Sequence, residues 1–168
     1  MSDIYIAIGA NMSNPKETLL ALPKRLAAQG IGVIKASSLW RNPAWPEGQG
    51  HPDYLNGVLQ VSYDGTAQAL LTLLLNMETQ AGRVRSKKNA PRPLDLDIID
   101  FCGQESISDA LTLPHPRMAD RAFVLLPLAE IAPQWTHPQT GMPIMELLAR
   151  LPLAEMDKMK FEGAIELA

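Results

Sequence analysis

Ile4, Ile6 and Ile8 alternate with Tyr5 and Ala7, which predicts a short strand ended by Gly9. Ser13 or Asn14 can then cap a helix with Pro15 in its first turn, where a missing N–H costs little. Leu19, Leu22 and Leu26 repeat at helical spacing, and Pro23 inside that pattern should kink or split the helix. Residues 31–37 are β-branched enough for a second strand, and 42–52 (NPAWPEGQGHP) read as a loop. Residues 54–63 resume as a strand of period two. Leu55, Gly57, Leu59 and Val61 fall on one face, and Tyr54, Asn56, Val58 and Gln60 on the other. Thr66 caps a helix over 67–81 with a leucine stripe at 70, 71, 74 and 75, and Gly82 ends it.

A basic loop over 83–93 leads into LDLDIIDF, residues 94–101, a strand with Leu94, Leu96 and Ile98 on one face and Asp95, Asp97 and Ile99 on the other. A hairpin ending at 111–113, a helix over 117–131 interrupted near Pro127 and a short helix over 142–151 complete the pattern. The tail after Pro152 has little pattern and is expected to be partly mobile. The first four strands and two helices read βαββαβ. That order predicts an α+β, ferredoxin-like core: an antiparallel sheet with both helices on one face and the other face open to a ligand, followed by a C-terminal helical extension. No repeat or linker divides the 168 residues, so one domain is expected.

Composition narrows the function. Hydrophobic residues make up 46% and charged residues 20%, as in a globular protein, and a net charge of −3 argues against nucleic acid as a partner. The single cysteine, Cys102, excludes an internal disulfide and a cysteine-built zinc site, and points to a reduced, cytoplasmic setting. The start MSDIYIAIGAN lacks the features of a signal peptide, and no run reaches the roughly 20 apolar residues of a membrane span. A monomer acting on small molecules is expected.

Asp95 and Asp97, two apart on a strand, share a face about 7 Å apart. They suit either a solvated edge or a cation; Mg²⁺ relies on one or two carboxylates plus substrate phosphates. Arg83, Arg85, Lys87, Lys88 and Arg92 are five of the fifteen Lys and Arg residues, and no acid lies between Thr79 and Leu94. A positive loop beside an acid pair favours a phosphate–metal ligand over two solvated surfaces. The loop, without regular structure, is expected to move as a lid. His115, between two prolines, reads either as a surface turn or, with Arg117 and Arg121 nearby, as a phosphate contact. Tyr54 and Asn56 read either as an exposed cross-strand pair or as a stacking ring and an amide for the edge of a heterocycle. No P-loop motif occurs.

The stretches YIAIGANMSNP, PDYLNGV, GRVR, APRPLDLDIIDF and LPHPRMADRAFVLLPLAEIAP resemble the 6-hydroxymethyl-7,8-dihydropterin pyrophosphokinases of folate biosynthesis, from about residue 4 to 133. The resemblance implies transfer of diphosphate from ATP to the pterin hydroxymethyl group, with AMP released. It implies two Mg²⁺ ions held by Asp95 and Asp97, and a catalytic set of Arg83, Arg92 and Asp97. Glu78, Arg85, Arg92, Ile98, Thr112, His115 and Arg121 would bind ATP. Pro43, Tyr54, Asn56 and Phe123 would bind the pterin, with Trp45 covering it. Many members carry W-G-P-R where this chain has Asn89-Ala90-Pro91-Arg92. The weighed alternatives are a two-metal nucleotidyltransferase of palm-like fold and a non-catalytic ligand-binding module.

Overall fold

The computed structural model describes residues 3–84 and 90–168. Its order is β1 (Ile4–Ala10), α1 (Pro15–Leu20), α2 (Leu22–Ala27), β2 (Gly32–Ala36), β3 (Ser38–Asn42), β4 (Tyr54–Ser62), α3 (Ala67–Gln80), β5 (Asp95–Phe101) and a small hairpin, β6 (Ser106–Ile107) with β7 (Thr112–Leu113). A 3₁₀ turn (Met118–Asp120), α4 (Ala122–Ile131), α5 (Ile144–Arg150), α6 (Leu153–Asp157) and β8 (Lys160–Ala164) follow. The main sheet is antiparallel throughout, in the order β5-β1-β4-β3-β8, with β2 also paired to β4. The fold is therefore α+β.

Local chemistry explains most boundaries. Pro23 splits the first helical stretch: it sits in the first turn of α2, where its missing N–H is harmless. Leu19, Leu22 and Leu26 are nonetheless all fully buried. Thr66 Oγ1 accepts from the Ala69 N–H at 3.1 Å, and Gly82 follows α3 at φ 96°, a conformation that suits glycine. Leu70, Leu74 and Met77 turn the buried stripe of α3 to the sheet.

The period-two readings of β1, β4 and β5 hold. Ile4, Ile6, Ile8, Leu55, Leu59, Val61, Leu94, Leu96 and Ile98 meet α1–α3 in one apolar cluster on one face of the sheet. Three expectations are corrected. The opposite face is not fully open, because Tyr5, Val58 and Ile99 pack there against α4, Trp135 and α5 in a second cluster. Pro127 lies inside a continuous α4, and the interruption falls instead at Arg121, extended at φ −118° and ψ 108°. The C-terminal extension is not helical throughout but ends in a strand, because β8 pairs with β3 and Ile165 enters the first cluster. Strand β3 escaped sequence reading: Ser38–Asn42 carries no clean alternation and gains its strand geometry from neighbours on both sides. Among the described residues no helix is long and apolar enough to cross a membrane.

Candidate active site

Where the second cluster ends, the sheet face is bare, and a cavity of about 860 Å³ occupies the gap. Its floor follows from register. Gly9 lies between Asn56 on β4 and Asp95 on β5, and Ala7 lies between Val58 and Asp97. Two small residues on the central strand thus leave a trough between carboxylates on one side and an amide on the other. Their place was readable from the β1 alternation, which puts Tyr5, Ala7 and Gly9 on one face.

At the carboxylate end, Asp95 Oδ1 accepts from Arg83 Nη1 and Arg92 Nη1, each at 3.2 Å. Arg83 also donates to Glu78, a buried carboxylate on α3 that accepts from the Leu96 N–H at 3.2 Å. Burial pushes the Glu78 carboxyl up to about 7 against the pull of Arg83, and the charge of Asp95 adds to the rise. Asp97 is pushed up to about 6, first by burial and then by Asp95, although Arg121, Arg83 and Arg92 oppose the shift. A carboxylate so disfavoured is short of positive charge, which suits a cation at this pair. Among the described residues no group of three or more His, Cys, Asp and Glu side chains could hold a metal. A cation here would take its remaining ligands from substrate or water, as Mg²⁺ commonly does.

Arg92 is positioned by a side chain the sequence reading did not single out. Asn11, 2% exposed, accepts from the Arg92 N–H at 2.7 Å through Oδ1 and donates through Nδ2 to Pro52 O at 3.0 Å. It thus joins the segment before β5 to the loop before β4. Its signal was the turn Gly9-Ala10-Asn11.

His115, Arg117 and Arg121 line the wall beside the carboxylates. The His115 N–H donates to Ile99 O at 2.9 Å, which fixes this residue against β5. Its Nδ1 accepts from the Arg117 N–H at 3.2 Å, so Nε2 carries the proton and can donate to an anion. Burial, reinforced by Arg121, pushes its pKa down to about 4. The imidazole is therefore neutral at physiological pH and becomes cationic only as pH falls through about 4. An NMR titration of the free protein should give this midpoint for His115; a midpoint near 6.5 would contradict the burial. Burial also lowers the pKa of Arg121, whose guanidinium lies 5.4 Å from the Phe123 ring centroid.

At the other end stand Pro43, Trp45, Tyr54, Asn56 and Phe123. Asn56 is 8% exposed, and its Nδ2 donates to Asn42 Oδ1, which fixes the orientation of the amide. Trp45 is 70% exposed at the rim. The cavity brings together ten residues singled out from sequence: these five with Arg92, Asp95, Asp97, His115 and Arg121. Glu78 and Arg83 adjoin it through Asp95. Ile98 turns into the first cluster, and Thr112 lies on β7. Arg85, Lys87 and Lys88, and with them much of the expected lid, fall outside the described residues. Glu47, Glu155, Lys158 and Met159 also line the cavity. The last three lie in the tail, where weak patterning gave no signal.

A family model described as 7,8-dihydro-6-hydroxymethylpterin-pyrophosphokinase matches residues 5–133. A 2-amino-4-hydroxy-6-hydroxymethyldihydropteridine pyrophosphokinase from Synechocystis is 40% identical over 148 residues, covering 87% of this chain and 74% of the relative. The enzyme of that name from Haemophilus influenzae is 34% identical over 161 residues, 95% of this chain and 99% of its own. The Folic acid synthesis protein fol1 of Pneumocystis carinii is 35% identical over 150 residues, 88% of this chain but 20% of that longer protein. The chain belongs to the 7,8-dihydro-6-hydroxymethylpterin pyrophosphokinase family.

Proposed function

We propose that this protein transfers diphosphate from ATP to the hydroxymethyl group of 6-hydroxymethyl-7,8-dihydropterin and releases AMP, a step of folate biosynthesis. The observation that carries the assignment to this cavity is the row Asp95–Gly9–Asn56. It sets an acid pair, suited to a metal-bound triphosphate, one strand away from an oriented, buried amide. The hydroxyl oxygen attacks the β-phosphorus, the bond from that phosphorus to the α,β-bridging oxygen breaks, and AMP departs as the hydroxyl proton is lost. Such transfer asks mainly for positioning and electrostatics.

Asp95 and Asp97 would hold Mg²⁺, two ions on the family's pattern, and bound there the metal would neutralise phosphate oxygens. Arg92 and Arg83, now paired with carboxylates, would exchange part of that pairing for phosphate contacts and stabilise charge on the leaving side. Asp97 would orient the hydroxyl or accept its proton. His115 and Arg121 are assigned to phosphate, donating from the wall beside the pair, with Arg85 assigned to the same end. Glu78, Ile98 and Thr112 are assigned to the nucleoside. Ile98 would serve through backbone, since β5 is an edge strand. Tyr54, Asn56, Phe123 and Pro43 are assigned to the pterin, under Trp45.

The same reading takes the chain as one ferredoxin-like catalytic domain, monomeric and cytoplasmic, with neither nucleic acid nor membrane as partner. Support for the fold name is the strand order. With β2 and β3 counted as one irregular strand, the sheet runs fourth, first, third, second, and α1–α3 share one face. A palm-like nucleotidyltransferase is disfavoured because β1 carries no acid. Product analysis after mixing protein, ATP, Mg²⁺ and the hydroxymethyl pterin tests the proposal. AMP with a pterin diphosphate is expected; ADP, or no pterin product, would overturn it.

A further inference from the structure

The pterin end of the cavity is bounded by two segments more than a hundred residues apart in sequence. One is the loop 43–52 with Trp45 and Glu47; the other is the C-terminal strap, α6 with β8 and the turn between them. Lys158, in that turn, places Nζ 2.6 Å from Glu47 Oε1 and 3.2 Å from Glu155 Oε1. The next residue, Met159, is 8% exposed and forms part of the cavity wall.

The two sides of this clasp are held very differently. The strap is built into the sheet: β8 pairs with β3 in a register that sets Phe161 opposite Trp40 and Lys160 opposite Arg41. Arg41 Nε lies 2.6 Å from Glu162 Oε1, Lys16 Nζ donates to Glu162 O at 3.0 Å, and the Trp40 and Phe161 rings meet edge to face at 6.0 Å. Ile165 closes the segment in the first apolar cluster. The loop is held by less: of residues 43–52 only Ala44 is buried. Asn42 anchors its start on β3, and Pro52 O accepts from Asn11 at its end. Among the described residues, the Glu47–Lys158 pair is the one hydrogen bond or ion pair that ties residues 43–51 to the C-terminal part of the chain. Trp45 lies two residues from Glu47, in the loop that this pair ties to the strap.

We propose that the strap, through Lys158 and Glu47, is a positioning element for the pterin end of the site. It sets how tightly the pterin is held and leaves the nucleotide end alone; the claim rests on the pterin reading above. Exposed ion pairs are individually weak and salt-sensitive. The clasp can therefore release the loop for substrate entry and re-form without a large barrier.

The full chain is compared with Glu47→Gln, Lys158→Met, the double variant and Lys158→Arg. Two readouts apply: hydrogen exchange across residues 43–52 in the free protein, and calorimetric affinities for pterin and ATP measured separately. Each single variant should speed exchange in the loop and raise the pterin Kd about threefold, the scale of an exposed pair. The double variant should add nothing further, Lys158→Arg should match wild type, and the ATP Kd should stay put. Raising salt should weaken pterin binding by the wild type more than by the double variant.

Additive effects of the two substitutions, equal losses for both ligands, or unchanged exchange in the loop would each overturn the clasp. A wild type that binds ATP but no pterin would overturn the functional reading and the strap's effect on affinity with it. Exchange across 43–52 would still report separately whether the clasp holds the loop.

Discussion

Asp97→Ala should abolish turnover and leave the free protein as stable as wild type, or more so. The two effects share one cause. Asp97 lies partly buried beside a second carboxylate, and both circumstances push its pKa up, to about 6. Without a cation the charge is a burden to the fold, and alanine removes it with little packing lost, since the side chain faces the cavity and not a core. With substrate and metal the same carboxylate would hold the cation, and losing it should remove several kcal/mol of transition-state stabilisation, on the order of a thousandfold in rate. Asp95→Ala should be as inactive but should gain no stability, because Asp95 accepts from both Arg83 and Arg92, and its loss takes an acceptor from each guanidinium and leaves Arg83 with Glu78. Steady-state rates with thermal unfolding followed by circular dichroism decide both points. Near-normal turnover in a folded Asp97→Ala protein would reject the metal role.

Asn56→Ala should weaken pterin binding by about ten- to a hundredfold and change ATP binding little. The amide is buried and its orientation is set by Asn42, so the atoms turned to the cavity are fixed before a ligand arrives. A heterocycle edge that loses such a partner leaves its own polar groups unpaired, at about 1–3 kcal/mol. Asn56 faces away from the first apolar cluster, so truncation should not spread to the α3–β5 side where Glu78 and Arg83 meet. Separate calorimetric titrations of the two ligands make the comparison, and a matching loss for both would indicate a folding defect instead.

Much of this site was legible because strands report on themselves. Period-two alternation placed Asp95 with Asp97, and Tyr54 with Asn56, on single faces, and the structure keeps both pairings. Alternation is silent about what lies across a sheet. The row from Asp95 through Gly9 to Asn56 is a fact of register, which is set by pairing between strands distant in sequence. Residues whose role comes from distant partners were invisible for the same reason. Asn11 matters through Arg92 and Pro52, and Lys158 through Glu47. Helix α4 shows the opposite failure: proline's local penalty predicted a break at Pro127, yet a helix whose Val124, Leu125 and Leu128 are buried against the sheet outweighs it.

Gly9 carries a further consequence. A methyl group at this position would come within 2.6 Å of Asn56 Oδ1, closer than real Cβ contacts allow. No other amino acid can enter at 9 while the amide keeps its place, and a bulkier residue at 56 would press on the same gap. The glycine is thus the condition for the amide. The order of change is constrained: position 56 can shrink with Gly9 in place, whereas position 9 can gain a side chain only once the amide at 56 has been moved or replaced by something smaller.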